Sequence, residues 1–154
     1  MLSTLRSHRL WFVGVALAGG LALPASTLAA TIYGTSGPDD IYGTSSADTI
    51  YGLGGNDRID GRGGGDAIDG GANDDRIYGG YGNDRLHGRY GNDKLVGGPG
   101  SDGLSGGYGN DRIYAAGDGT ADVIRCGPGT DYAVYGPTDT FADGSCEYTS
   151  LRAS

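Results

Sequence analysis

Nine aspartates recur at every ninth position of this 154-residue chain: Asp39, Asp48, Asp57, Asp66, Asp75, Asp84, Asp93, Asp102 and Asp111. Each carboxylate is a two-oxygen acceptor, and a file of them can either stand in water as charge or hold cations. Two residues after each comes an aliphatic, in order Ile41, Ile50, Ile59, Ile68, Ile77, Leu86, Leu95, Leu104 and Ile113, and five residues before each comes a glycine, from Gly34 to Gly106. A solvating acid need not keep register with an aliphatic. The shared phase therefore argues for carboxylates placed by a repeating fold.

The donors available select the ion. The turns offer carboxylate and main-chain carbonyl oxygens but no histidine or thiol, which suits Ca2+ rather than zinc or copper. Flexible glycine turns do not enforce the tight octahedron of magnesium.

The elements that must carry these aspartates follow from the same nonamer. The 33 glycines of the chain disfavour helix. Each unit divides into six turn formers and a three-residue strand, as in residues 79–84 followed by Arg85, Leu86 and His87. A strand so short must stack on copies of itself, so two nonamers make a coil and the strands build two parallel sheets. One sheet buries Ile41, Ile59, Ile77, Leu95 and Ile113; the other buries Ile32, Ile50, Ile68, Leu86 and Leu104. The coil stacks Asp39, Asp57, Asp75, Asp93 and Asp111 in one column and Asp48, Asp66, Asp84 and Asp102 in another. Carboxylates about 5 Å apart repel by about 3 kcal/mol at an effective dielectric of about 20, so a cation is needed between them. The gaps within the two columns admit up to about seven Ca2+ ions.

Charge and cysteines set the surroundings. The formal net charge of −8 repels nucleic acid and anionic lipid. Residues 1–29 read as a signal peptide: Arg6, His8 and Arg9 precede an apolar run from Leu10 to Leu23, and Thr27, Leu28 and Ala29 form a small-x-small cleavage signal. The run is short for a membrane span, so the mature chain is expected to be secreted, with no span of its own. Cys126 and Cys146 fit an oxidising compartment and can pair. The nonamer phase slips by two residues within 115–120. We therefore expect a roll over residues 30–117 and a degenerate repeat with a cap over 118–154, where a Cys126–Cys146 bridge would add about 3 kcal/mol.

Outward strand positions distinguish the sheets. Arg58, Arg76, Lys94 and Arg112 precede successive aliphatics of one sheet, with Tyr78 and Tyr114 among the residues that follow them. This cationic and aromatic face could bind an acidic polysaccharide through ion pairing and stacking. Enzymatic function has little support: His87, the only histidine beyond the leader, sits at an ordinary outward strand position.

The nonamers 79–87 and 106–114 match G-G-x-G-x-D-x-U-x, and on these residues the region 32–114 resembles the RTX, or haemolysin-type, calcium-binding repeat. The resemblance implies a right-handed parallel β-roll, all-β, whose nine aspartates bind several Ca2+ ions together with turn carbonyls. Thr35, Thr44, Leu53, Arg62 and Arg89 replace the second glycine of the motif, and Ser46 and Asn73 the fourth-position one. Weaker sites are expected in the first two turns. The implied role is a non-enzymatic structural or adhesive one outside the cell, with binding of acidic polysaccharide as the alternative.

Overall fold

The computed structural model describes His8–Arg9, Leu28–Ala115 and Asp118–Leu151. The predicted leader, residues 1–29, otherwise lies outside the described residues. The strands are β1 (His8–Arg9), β2 (Thr31–Tyr33), β3 (Asp39–Tyr42), β4 (Thr49–Tyr51), β5 (Arg58–Asp60), β6 (Ala67–Ala72), β7 (Arg76–Tyr78), β8 (Arg85–Tyr90), β9 (Lys94–Val96), β10 (Gly103–Tyr108), β11 (Arg112–Tyr114), β12 (Val123–Arg125), β13 (Tyr132–Tyr135), β14 (Thr140–Phe141) and β15 (Tyr148–Leu151). Odd-numbered strands form one parallel sheet and even-numbered strands the other, each strand pairing with the strand two further along the chain. No helix occurs among the described residues. The chain is a parallel β-solenoid, as its period predicts.

One aliphatic per strand points inward. Ile59 registers with Ile41 and Ile77 in the odd sheet, and Ile68 with Ile50 and Leu86 in the even sheet. All ten predicted aliphatics are buried, and Ile124 and Ala133 extend the file. A pleated strand sends alternate side chains to opposite faces, so the aspartate two residues before each aliphatic faces inward as well. That parity fixes where the chemistry can occur.

The turns are held by close backbone approach and local hydrogen bonds. Leu53, Arg62, Asn73 and Arg89 take φ of 74°, 73°, 79° and 81°, in the left-handed region that glycine occupies in unbroken motifs. Asn92 Oδ1 accepts from Asn110 N and Asn110 Oδ1 from Thr130 N, a side-chain ladder that runs along the turns.

The two-residue slip does not interrupt the ladder. β12 pairs with β10 and β13 with β11, and the coil length simply changes there from 18 to 20 residues. The segment expected as a cap thus continues both sheets through β14 and β15. It carries the Cys126–Cys146 disulfide, with Cα atoms 5.3 Å apart.

Candidate metal centre

All nine predicted aspartates are buried, with exposures of 4 % or less. They form the two columns that the period implies, joined by a hydrogen bond at every step. In the first column Asp39 N donates to Asp57 Oδ1 at 2.9 Å, Asp57 N to Asp75 Oδ1 at 2.8 Å, and so on through Asp93 and Asp111. In the second, Asp48 N donates to Asp66 Oδ1 at 2.7 Å, and Asp84 and Asp102 follow. From Asp57 and Asp66 onward, each carboxylate therefore uses one oxygen to tie its coil to the preceding one. The other oxygen is left over.

That remaining oxygen has no partner. Oδ2 of Asp57, Asp66, Asp75, Asp84, Asp93, Asp102 and Asp111 is buried without a hydrogen bond, as is Oδ1 of Asp39. Native interiors rarely leave such atoms unsatisfied. The glycine five residues back shows what surrounds them. A methyl group at Gly43 would lie 2.9 Å from Asp48 Oδ2 and 2.5 Å from the Gly61 carbonyl oxygen of the next coil, and one at Gly34 would meet Asp39 Oδ2 and the Gly52 carbonyl in the same way. The pair recurs at Gly52, Gly61, Gly70, Gly79 and Gly88. Each coil thus brings a carboxylate oxygen and a carbonyl oxygen close together, and from Asp57 onward that carboxylate oxygen has no donor. This is an environment for a hard cation, and the residues present fit Ca2+.

Among the described residues no three His, Cys, Asp or Glu side chains converge as a ready-made cage. Main-chain oxygens must complete any coordination shell.

Electrostatics agrees with geometry. Loss of solvation on burial pushes Asp57 and Asp93 up to about 6. The same loss, reinforced by neighbouring carboxylates, pushes Asp66, Asp75, Asp102 and Asp111 up to about 7. Asp84 is also raised by burial. Such groups either take a proton or acquire a cation.

Four further acidic residues join the columns beyond the nine expected ligands. Asp122 Oδ1 accepts from Asp102 N and Asp131 Oδ1 from Asp111 N, both at 2.8 Å, and Oδ2 of each is buried without a partner. The columns end where Asp139 Oδ1 accepts from Asp122 N and Glu147 Oε2 from Asp131 N. The aliphatics Ile124 and Ala133, two residues after Asp122 and Asp131, were the available signal. Cys126 stands in the glycine column of the last coil, and its carbonyl oxygen would lie 2.6 Å from a methyl group on Gly106.

The first coil differs. Thr44, in place of a motif glycine, donates its N–H to Asp48 Oδ2 at 2.5 Å and its hydroxyl to Oδ1 at 3.1 Å, and Ala30 N reaches Oδ1 at 2.7 Å. Thr35 N and Oγ1 likewise engage Asp39 Oδ2 at 2.6 and 2.9 Å.

On the outer surface, Arg58, Arg76, Lys94 and Arg112 register in one row of the odd sheet. Tyr78 and Tyr114 lie in the adjacent row. His87 on β8 registers between Asp69 and Ser105 but bonds neither, and the Asp69 carboxylate is taken by Arg89 at 2.6 and 2.8 Å.

No curated protein sequence matches the chain. A family model described as the RTX calcium-binding nonapeptide repeat matches in four copies, over residues 33–68, 69–104, 87–124 and 96–133. Those matches span more than half of the chain, through the same coils that carry the unpartnered carboxylate oxygens, and the protein belongs to the RTX calcium-binding repeat family.

Proposed function

We propose that the protein is a secreted, non-enzymatic calcium-binding module with a structural or adhesive role outside the cell, and that its roll folds around Ca2+ held by the aspartate columns. The observation that carries this reading is the file of buried carboxylate oxygens without a partner. Asp57, Asp66, Asp75, Asp84, Asp93, Asp102 and Asp111 are the principal ligands, with the carbonyls of the facing glycines. Asp122 and Asp131 join them. Asp39 and Asp48 are weaker, because Thr35 already occupies one oxygen of Asp39 and Thr44 both oxygens of Asp48. Bound calcium supplies positive charge between carboxylates that otherwise repel, and so exchanges a destabilising term for a stabilising one.

Calorimetric titration tests the assignment. Several Ca2+ ions are expected to bind per chain, and Mg2+ at equal concentration is expected to leave the heat signal flat. Uptake of magnesium to the same stoichiometry would contradict the proposed donor set. The variant Thr44→Gly is expected to raise the calcium count by one, because glycine lets the turn take the left-handed φ of the later coils, which turns the residue-44 N–H away from Asp48 Oδ2. An unchanged count would show that the threonine does not close that site.

A second reading is favoured by the odd sheet's outer row. Arg58, Arg76, Lys94 and Arg112, flanked by Tyr78 and Tyr114, suit an acidic extracellular polysaccharide. Screening calcium-loaded protein against glycans, with chelated protein as the control, tests it. Absence of any glycan binding would remove it and leave the calcium reading intact.

A further inference from the structure

The cationic row has a structural cost that folding does not explain. Arg58 registers with Arg76, Arg76 with Lys94 and Lys94 with Arg112 on successive parallel strands. Like charges directly opposite one another destabilise a sheet. Among the described residues the one ion pair is Arg89–Asp69, on the other sheet, so none of these four cations has an acidic partner within reach. The column aspartates cannot serve, since they point inward and are buried. Asp40 registers beside Arg58 at one end of the row, and Asp60 lies in the adjacent row, where its Oδ1 accepts from Arg62 N.

The even sheet is an internal control for solubility. Its equivalent row reads Thr49, Ala67, Arg85, Gly103 and Val123, with a single cation. A solenoid face of this kind therefore does not need four.

Aromatic neighbours hold the cations along the surface. Lys94 Nζ lies 5.8 Å from the Tyr78 ring centroid and 5.2 Å from that of Tyr114, and Arg58 lies 5.6 Å from Tyr78. Cation–π contacts of this length restrain the long side chains before any ligand arrives, which reduces the entropy lost on binding. The strands impose a repeat of about 4.8 Å along the roll axis. A polymer with one anionic group per sugar ring advances by a comparable step between charges. Duplex nucleic acid carries a charge about every 1.7 Å, far denser than this row.

We propose that the odd sheet docks a linear polyuronate lying along the roll axis, with successive sugar carboxylates against Arg58, Arg76, Lys94 and Arg112 and sugar rings against Tyr78 and Tyr114. This rests on the polysaccharide reading above and narrows it to one charge pattern and one orientation.

The test uses full-length protein in saturating calcium, its fold monitored by circular dichroism. The probes are end-labelled galacturonate oligomers of two to eight sugars, followed by fluorescence anisotropy. Affinity is expected to rise with length to about four sugars, the number of cations in the row, and then to level off. The slope of log Kd against log salt is expected to fall by about one for each of Arg58→Ser and Arg76→Ser. The triple variant Arg58→Ser/Arg76→Ser/Arg112→Ser is expected to bind roughly 10- to 100-fold more weakly. Arg85→Ser, on the opposite sheet, is expected to bind as the parent does, and carboxyl-reduced oligomers are expected not to bind. If the triple variant does not fold, Lys94→Gln alone carries the same comparison. Oligomers bound equally well by the triple variant, or by the reduced form, would overturn the charge register while leaving glycan binding standing. No binding of any oligomer by folded, calcium-loaded protein would overturn both. Tighter binding of a single-stranded oligonucleotide of equal charge would overturn the choice of polymer.

Discussion

Stripping calcium at about pH 7.5 is expected to abolish the far-ultraviolet β signal, and acidifying the stripped protein to about pH 5 is expected to restore part of it. The magnitude follows from the ten buried carboxylate oxygens that lack a partner. At about 1–3 kcal/mol for each unsatisfied group, they cost on the order of 10–30 kcal/mol. A domain's whole stability is typically about 5–15 kcal/mol. Without a cation, the ionised roll should not persist.

The pH dependence has a definite sign. The folded carboxyl groups are raised from 3.8 to about 6 or 7 by burial. The folded state therefore binds more protons than the unfolded state between those values, and calcium-free stability must fall as pH rises through that window. With calcium present the dependence reverses, because protons compete with the ion for the same oxygens. Circular dichroism across pH, in EGTA and in excess calcium, should give curves that slope in opposite directions. Parallel curves, or a β signal indifferent to chelation at about pH 7.5, would refute the assignment.

The second large effect is steric. Adding one methyl group in Gly61→Ala is expected to destabilise the calcium-loaded protein by about 3 kcal/mol. The new carbon would lie 2.5 Å from the Gly79 carbonyl oxygen and close against Asp66 Oδ2. A main-chain carbonyl in a stacked coil cannot move aside without disturbing the ladder. Gly103→Ala is the matched control, since its methyl would meet only the Asp84 carbonyl, at 3.9 Å. Thermal unfolding in calcium should separate the two variants by roughly 15 °C. Calorimetry should show Gly61→Ala losing an ion that Gly103→Ala keeps. Equal melting and equal ion counts would mean that the glycines are kept for turn flexibility alone.

The main lines of this architecture are legible in the sequence because the same spacing specifies three things. In a strand of period two, an aspartate and the aliphatic two residues later must share a face, so Asp57 and Ile59 both had to point inward. Asp122 and Asp131 keep their spacing to Ile124 and Ala133, but they fall beyond the two-residue slip, in the segment expected as a degenerate repeat and cap, and so are not among the expected ligands. Asp139 and Glu147 follow no spacing at all; only the fold brings them beneath Asp122 and Asp131. Thr44 shows a different limit. The sequence records a missing glycine there, but not that the replacing threonine turns its N–H onto Asp48 Oδ2 and its hydroxyl onto Oδ1. Arg58, Arg76, Lys94 and Arg112 are evident as a row, whereas their want of acidic partners is a property of the assembled surface.

Cys126, lodged among the glycines of the final coil and tied to Cys146, makes completion conditional on surroundings. In a reducing, mineral-poor medium neither the sulfur clasp nor the ions would be supplied, and the same polymer would be expected to stay open and unassembled.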